Sequence, residues 1–224
     1  MRQFIARLTD RGEFILITTI CFSYAIVSSA LVLILGVRRF DLTTGRVLRG
    51  VVVELAILAI MASILWLRGW RPRRLGLRFS WGDVLVGILL FIGYVMLYWA
   101  TALAALSLFP SARNIDAFSF TPKAPFLLVM LFIVINSAFE EISVTAYVVE
   151  ALSDQGGALA ISASTLIRFS YHLYQGPIAS ISILPLGLLF GAVYWRGRRL
   201  WPLIVAHTIA NLLAFGLAAA RAGK

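Results

Sequence analysis

The sequence predicts an all-α polytopic membrane protein: a transmembrane bundle of seven helices, or eight, around a polar cavity inside the bilayer. Three observations predict it. The composition is 61% hydrophobic and 13% charged, with a mean hydropathy of +0.92, whereas a soluble domain stays near 45–50% apolar and about 25% charged. Apolar runs recur at 14–36, 51–67, 84–109, 124–152, 157–175, 178–195 and 200–220. Most are long enough to cross about 30 Å of hydrocarbon as a helix. Glu140 and Glu141 stand side by side near the middle of the fourth run.

The first run follows a basic segment, MRQFIARLTDRGE. It is longer than a signal-peptide core and lacks a small-x-small cleavage site, so it reads as a retained first span. Cys21 lies within it. A lone cysteine can form neither an intrachain disulfide nor a zinc cluster, and a packed thiol is expected. Polar or basic connections join the spans, among them RGWRPRRLGLRFSWGD at 68–83 and RGRRL at 196–200. Trp66, Trp70, Trp81, Trp195 and Trp201 fall at span ends and read as interfacial anchors. Between the fifth and sixth runs, Gly176-Pro177 breaks a helix. A buried turn is predicted there, flanked by short, irregular fifth and sixth helices. The chain reads as one membrane domain over 1–224, with N-terminal helices over 1–123 and a core over 124–215.

The formal net charge of +10 would suggest nucleic acid in a soluble protein. Here Lys and Arg flank the apolar runs, so the expected partners are membrane lipids with anionic headgroups, and no nucleic acid. Orientation follows from the same residues. With the N-terminus inside, the inner segments hold Arg2, Arg7, Arg11, Arg68, Arg71, Arg73, Arg74, Arg78, Arg196, Arg198 and Arg199. The outer ones hold Arg38, Arg39, Arg46, Arg49, Arg113, Lys123, Arg221 and Lys224. The excess favours the N-terminus inside.

Polar side chains at bilayer depth form the candidate site. A carboxylate there costs about 2.5–3.5 kcal/mol even on insertion scales, which makes two adjacent ones functional by default. The fourth run carries Asn136, Glu140 and Glu141. The fifth carries Arg168, Tyr171 and His172, and the seventh His207 and Asn211. Asn136 and Glu140, Arg168 and His172, and His207 and Asn211 are each i, i+4 pairs that share one helix face. Glu140 and Glu141 are about 100° apart on a helix, so at most one should point squarely into a shared cavity. Tyr147, Tyr171 and Tyr174 read as packing or interface residues.

Three converging stripes permit water activation. A poorly solvated Glu with a second carboxylate beside it can take a proton from water, and a neutral His can hold that water. A His and an Asn amide can donate to the oxygen of a scissile carbonyl as it becomes an oxyanion. No G-x-S-x-G elbow is present for the serine alternative.

The order of these motifs is Glu140-Glu141, then His172 in RFSYHLYQGP, then His207-x-x-x-Asn211 in WPLIVAHTIANLL. It resembles the CPBP (CAAX protease and bacteriocin-processing) family of intramembrane proteases, also called Rce1-like or Abi, over about 124–215. The resemblance implies that Glu140 activates water assisted by His172, that His207 and Asn211 form the oxyanion site, and that Glu141 supports them. It also leaves room for one Zn²⁺ held by Glu140, His172 and His207 with a water as fourth ligand. Two positions depart from the family. Its first motif is EExxxR, and Thr145 stands at the Arg. Its second is FxxxH, and Arg168 stands at the Phe. These departures are read as linked: Arg168 supplies the charge that Thr145 lacks, pairing with Glu141 or Glu140.

The expected activity is therefore an intramembrane endopeptidase acting on a peptide or protein that reaches the membrane cavity. A bacterial inner membrane is the expected location, and peptide processing or bacteriocin self-immunity the expected role. Two alternatives stand beside it: a catalytically inactive family member acting as an immunity or scaffold factor, and a proton-coupled transporter.

Overall fold

The computed structural model describes residues 5, 8–37, 39–111 and 119–222. Seven long helices carry the fold. They are α1 (Asp10–Ile34), α2 (Thr44–Leu67), α3 (Trp81–Leu108), α4 (Phe126–Ala151), α5 (Gly157–Tyr171), α6 (Pro177–Gly197) and α7 (Trp201–Ala222). All but α5 are long and apolar enough to span a membrane. The protein is an all-α integral membrane bundle. Two short strands, β1 (Arg39–Leu42) and β2 (Ser119–Pro122), pair in parallel with Arg39 opposite Ser119. Neither strand is predicted from the sequence, because four residues in each of two loops leave no alternation to read.

Local chemistry sets the helix ends. The Thr9 hydroxyl accepts from Gly12 N at 3.1 Å and caps α1. Ser80 and Asp83 form a capping box at the start of α3. Gly156 and Gly176 precede α5 and α6 with φ of +99° and +89°, a conformation that favours glycine.

The connections lie on two opposite faces. On one face Arg68 bonds Glu13 at 2.7 Å and Asp10 at 2.9 Å, Arg74 bonds Glu150 at 3.2 Å, and Arg199 bonds Asp83 at 2.8 Å. Arg198 also pairs with Glu150. Segment 68–80, turn 152–156 and segment 198–200 therefore share a face, which is the grouping of basic segments that the orientation argument assigns to the inside. The β1–β2 ribbon ties the loops of the other face together. Of the residues counted for orientation, Arg2, Arg7, Arg38, Arg113 and Lys224 lie outside the described residues.

The short α5 is seated by close approach. Gly187 and Gly191 of α6 face Thr165 and Ile161 of α5, where an added Cβ would come within 2.8 and 2.9 Å of their side chains. Small residues four apart let backbones approach in lipid, where packing replaces the hydrophobic effect. At 15 residues, α5 covers about 22 Å and stops short of the far surface. The turn after it is recessed, as the sequence predicts. His172 and Gly176 are buried, the Ser180 hydroxyl donates to the His172 carbonyl at 2.9 Å, and the Ser29 hydroxyl accepts from Tyr174 N at 2.9 Å. Hydroxyls from α6 and α1 thus satisfy backbone that is not helical at depth. The sixth helix departs from expectation. It runs a full 21 residues through Pro185, because a helix in lipid can re-satisfy the one bond a proline removes.

The core runs between α1, α4, α5, α6 and α7, with Tyr94 of α3 and the end of α2. Cys21 is buried against Met61, with sulfur atoms 3.9 Å apart. Trp66 and Trp81 are exposed, but Trp70 is buried against Tyr147. Its place in the core rather than the belt follows from the segment after α2 folding back over the bundle.

The α5–α6 contact gives a direct test. Gly187→Ala should destabilise by about 1–3 kcal/mol through overpacking. Gly197→Ala, where nothing lies within 4 Å of an added Cβ, should leave the thermal unfolding midpoint in detergent unchanged.

Candidate active site

The site assembles where α4 changes its winding. Glu140 ends the α-helical part of α4, and Glu141–Tyr147 forms a π-helical segment. The wider i→i+5 turn breaks the regular α-helical stagger. Both carboxylates reach the same guanidinium, and Glu140 alone of the two keeps an exposed edge. Arg168 bonds Glu140 Oε2 through one terminal nitrogen at 3.3 Å and Glu141 Oε1 through the other at 2.8 Å. Arg168 and Glu141 are fully buried.

Thr145 completes this centre. Its hydroxyl accepts from Arg168 at 2.9 Å and donates to Glu141 Oε2 at 2.7 Å. The cation that the motif would place on α4 thus arrives from α5, and Thr145 bridges it to Glu141. Tyr171 belongs here too. Its hydroxyl donates to Glu140 Oε2 at 2.6 Å, and its ring stacks on Phe22 of α1 with centroids 5.9 Å apart. The sequence reads it as a packing or interface residue. The signal available was its position, three residues after Arg168 and so on the same face of α5.

The histidines are oriented from behind. His172 Nδ1 lies 2.9 Å from the Arg168 carbonyl oxygen, and His207 Nδ1 lies 2.7 Å from Glu141 Oε1. Both neighbours only accept, so each Nδ1 carries the proton and each Nε2 is turned away from its holder. Arg168 therefore sets two things at once: its side chain fixes the carboxylates and its backbone fixes His172. Glu140 interacts electrostatically with both His172 and His207. Glu140, His172 and His207 keep 8%, 7% and 4% exposure, while Glu141 and Arg168 have none. The first three keep a little exposed surface, and the other two are closed off.

On α7, Asn211 stands one turn beyond His207 and donates to the Ser137 hydroxyl at 3.2 Å, one turn before Glu141. The contacts Glu141–His207 and Ser137–Asn211 form two rungs between antiparallel helices. An amide nitrogen has two hydrogens, so Asn211 keeps one beyond that bond. Asn136 does not join the cluster. Its amide turns to α2 and donates to Glu54 Oε1 at 2.8 Å. Glu54 is an intramembrane carboxylate that the sequence reading missed. It sits alone in an apolar helix, and its partner is 82 positions away.

Among the described residues, no group of three or more His, Cys, Asp or Glu is disposed to hold a metal ion. The cation that fits between the carboxylates is the Arg168 guanidinium.

Residues 122–213 match the model of the Rce1-like family, type II CAAX prenyl endopeptidase. No curated protein and no solved structure matches the chain. The resemblance read from the three motifs is borne out over that stretch. That stretch carries all three motifs and is less than half of the chain.

The linked departures make a double-mutant test. Arg168→Phe alone should cost about 3–5 kcal/mol, because it leaves two buried carboxylates without a cation. Thr145→Arg alone should also destabilise, by crowding a fully packed position. The double variant Thr145→Arg/Arg168→Phe restores the family pattern and should recover most of the loss in thermal unfolding.

Proposed function

We propose, from an Rce1-like core at 122–213, that this protein is an intramembrane endopeptidase that hydrolyses a peptide bond with water activated by Glu140. The observation that carries this reading is that Glu140, His172 and His207 interact electrostatically with one another and each keeps a little exposed surface, while Glu141 and Arg168 are closed off.

The roles follow from the geometry. Tyr171 and Arg168 both bind Oε2 of Glu140, which leaves Oε1 to take a proton from water. His172, with its proton held on Nδ1, presents the Nε2 lone pair to the same water. The water oxygen attacks the carbonyl carbon, and the carbonyl oxygen becomes an oxyanion. Asn211 donates its second amide hydrogen there. His207 donates through Nε2 as the imidazolium, with Glu141 as counter-ion. Protonated Glu140 then gives its proton to the amide nitrogen, the C–N bond breaks, and the amine leaves. Charge forms and disappears next to Arg168, which is already in place, so little reorganisation accompanies the step.

The substrate class is a peptide or protein segment that enters the membrane. A bacterial inner membrane and a role in peptide processing or bacteriocin immunity are the finer parts of this proposal. Thr145 stands where the motif places an arginine, and the guanidinium of Arg168 lies beside it at 2.9 Å.

The test uses purified protein in liposomes and a library of membrane-inserted peptides. Wild type should cleave, and Glu140→Gln and His207→Ala should each lose about 100-fold or more in rate, the range for a general base or an oxyanion donor. Cleavage should persist after chelation, with no stoichiometric metal in the active protein. Solute flux that depends on Glu140, with no cleavage, would support a transporter instead.

A further inference from the structure

Glu54 lies roughly 15 Å into α2, at bilayer depth. Asn136 occupies its Oε1, while its Oε2 is buried with no hydrogen-bond partner. Asn136 is one turn from Glu140, and the charge that acts on Glu54 is that of Glu140, of the same sign. One turn along each helix, Gly50 admits Phe132 so closely that an added Cβ would meet the ring at 2.8 Å. The rungs Gly50–Phe132 and Glu54–Asn136 therefore hold the carboxylate firmly against the wall of the site.

A structural hydrogen bond does not account for a glutamate here. Asn136 needs one acceptor, which Oε1 supplies, and Oε2 stays buried without a donor, an arrangement that costs free energy. The guanidinium of this region is committed to Glu140 and Glu141.

We propose that Glu54, held by Asn136, is a specificity-determining residue whose free oxygen binds the ammonium of a lysine side chain near the scissile bond. The occupant's identity as a substrate rests on the endopeptidase reading. Lysine fits better than arginine. A guanidinium seeks two oxygens in a fork, and one of this pair is taken, whereas an ammonium is a compact donor on a flexible stem. That stem also lets the charge reach the carboxylate while the peptide backbone stays in the cavity.

The test measures binding in nanodiscs. The probes are Leu/Ala peptides long enough to span the bilayer, with one Lys walked through the central positions. Peptides with norleucine, Arg or Glu at the same positions are compared with them. At one register the Lys peptide should bind wild type about tenfold more tightly than norleucine, a 1.4 kcal/mol effect, with Arg weaker than Lys and Glu the weakest. Glu54→Gln should bind Lys and norleucine peptides equally. Dicyclohexylcarbodiimide, which activates carboxyls in apolar surroundings, should join the bound Lys amine to Glu54 in wild type, as mapped by mass spectrometry. This arm needs no variant to fold. A Lys advantage at no register, one that survives Glu54→Gln, or an adduct only at another carboxyl overturns the proposal. None of these readouts requires cleavage. Lys-selective binding without hydrolysis would sink the endopeptidase reading and keep the subsite. Hydrolysis indifferent to both Lys and Glu54 would do the reverse.

Discussion

One buried guanidinium organises the membrane interior of this protein. Arg168 meets two carboxylates and a hydroxyl with its side chain, and an imidazole with its backbone carbonyl. A charge without partners at this depth would cost several kcal/mol, and so would either glutamate without it. Each group is tolerable because the others are present. The constraint therefore reaches well beyond one ion pair. It fixes how α5 stands against α4, and through Glu141 and His207 it fixes α7 as well.

The scaffold is shaped to allow this meeting. The α5 helix ends inside the bilayer, and the recessed turn after it places His172 beside Tyr171 rather than at the surface. The glycine ridge of α6 lets α5 lie close. The π-helical segment of α4 presents adjacent glutamates to a single fork. These are departures from regular transmembrane geometry, and they gather around one cluster of polar groups. Irregular backbone at depth is tolerated where it lines a polar cavity. The electrostatic result is a cluster with its charge compensated before any substrate arrives, while the edges of Glu140, His172 and His207 remain open.

Much of this was legible in the sequence. The spans follow from long apolar runs, and polar residues at i, i+4 gave the inward faces of α5 and α7. Energetic cost alone led from Arg168 to the glutamates, since an unpaired arginine could not stay where it stood. Other features left no trace in spacing. The π segment is a change in hydrogen-bond pattern, and apolar periodicity is blind to it. Glu54 has no polar neighbour at i±4 on its own helix, so it read as one more position in an apolar run. Its meaning depends on which helix packs beside it. Tyr171 was visible but ambiguous, because an aromatic residue at helical spacing packs as often as it bonds. The β1–β2 ribbon joins loops about 80 positions apart, and the paired segments are too short to announce themselves.

The central claim is that Arg168 holds both glutamates at once within the membrane. Solid-state NMR on protein in lipid bilayers tests it most directly, by recoupling the guanidinium nitrogens of Arg168 with the carboxyl carbons of selectively labelled glutamate. The account predicts short-range couplings to two carboxyl carbons, one lost in Glu140→Gln and the other in Glu141→Gln. Coupling to a single carboxyl carbon, or to none, would contradict it.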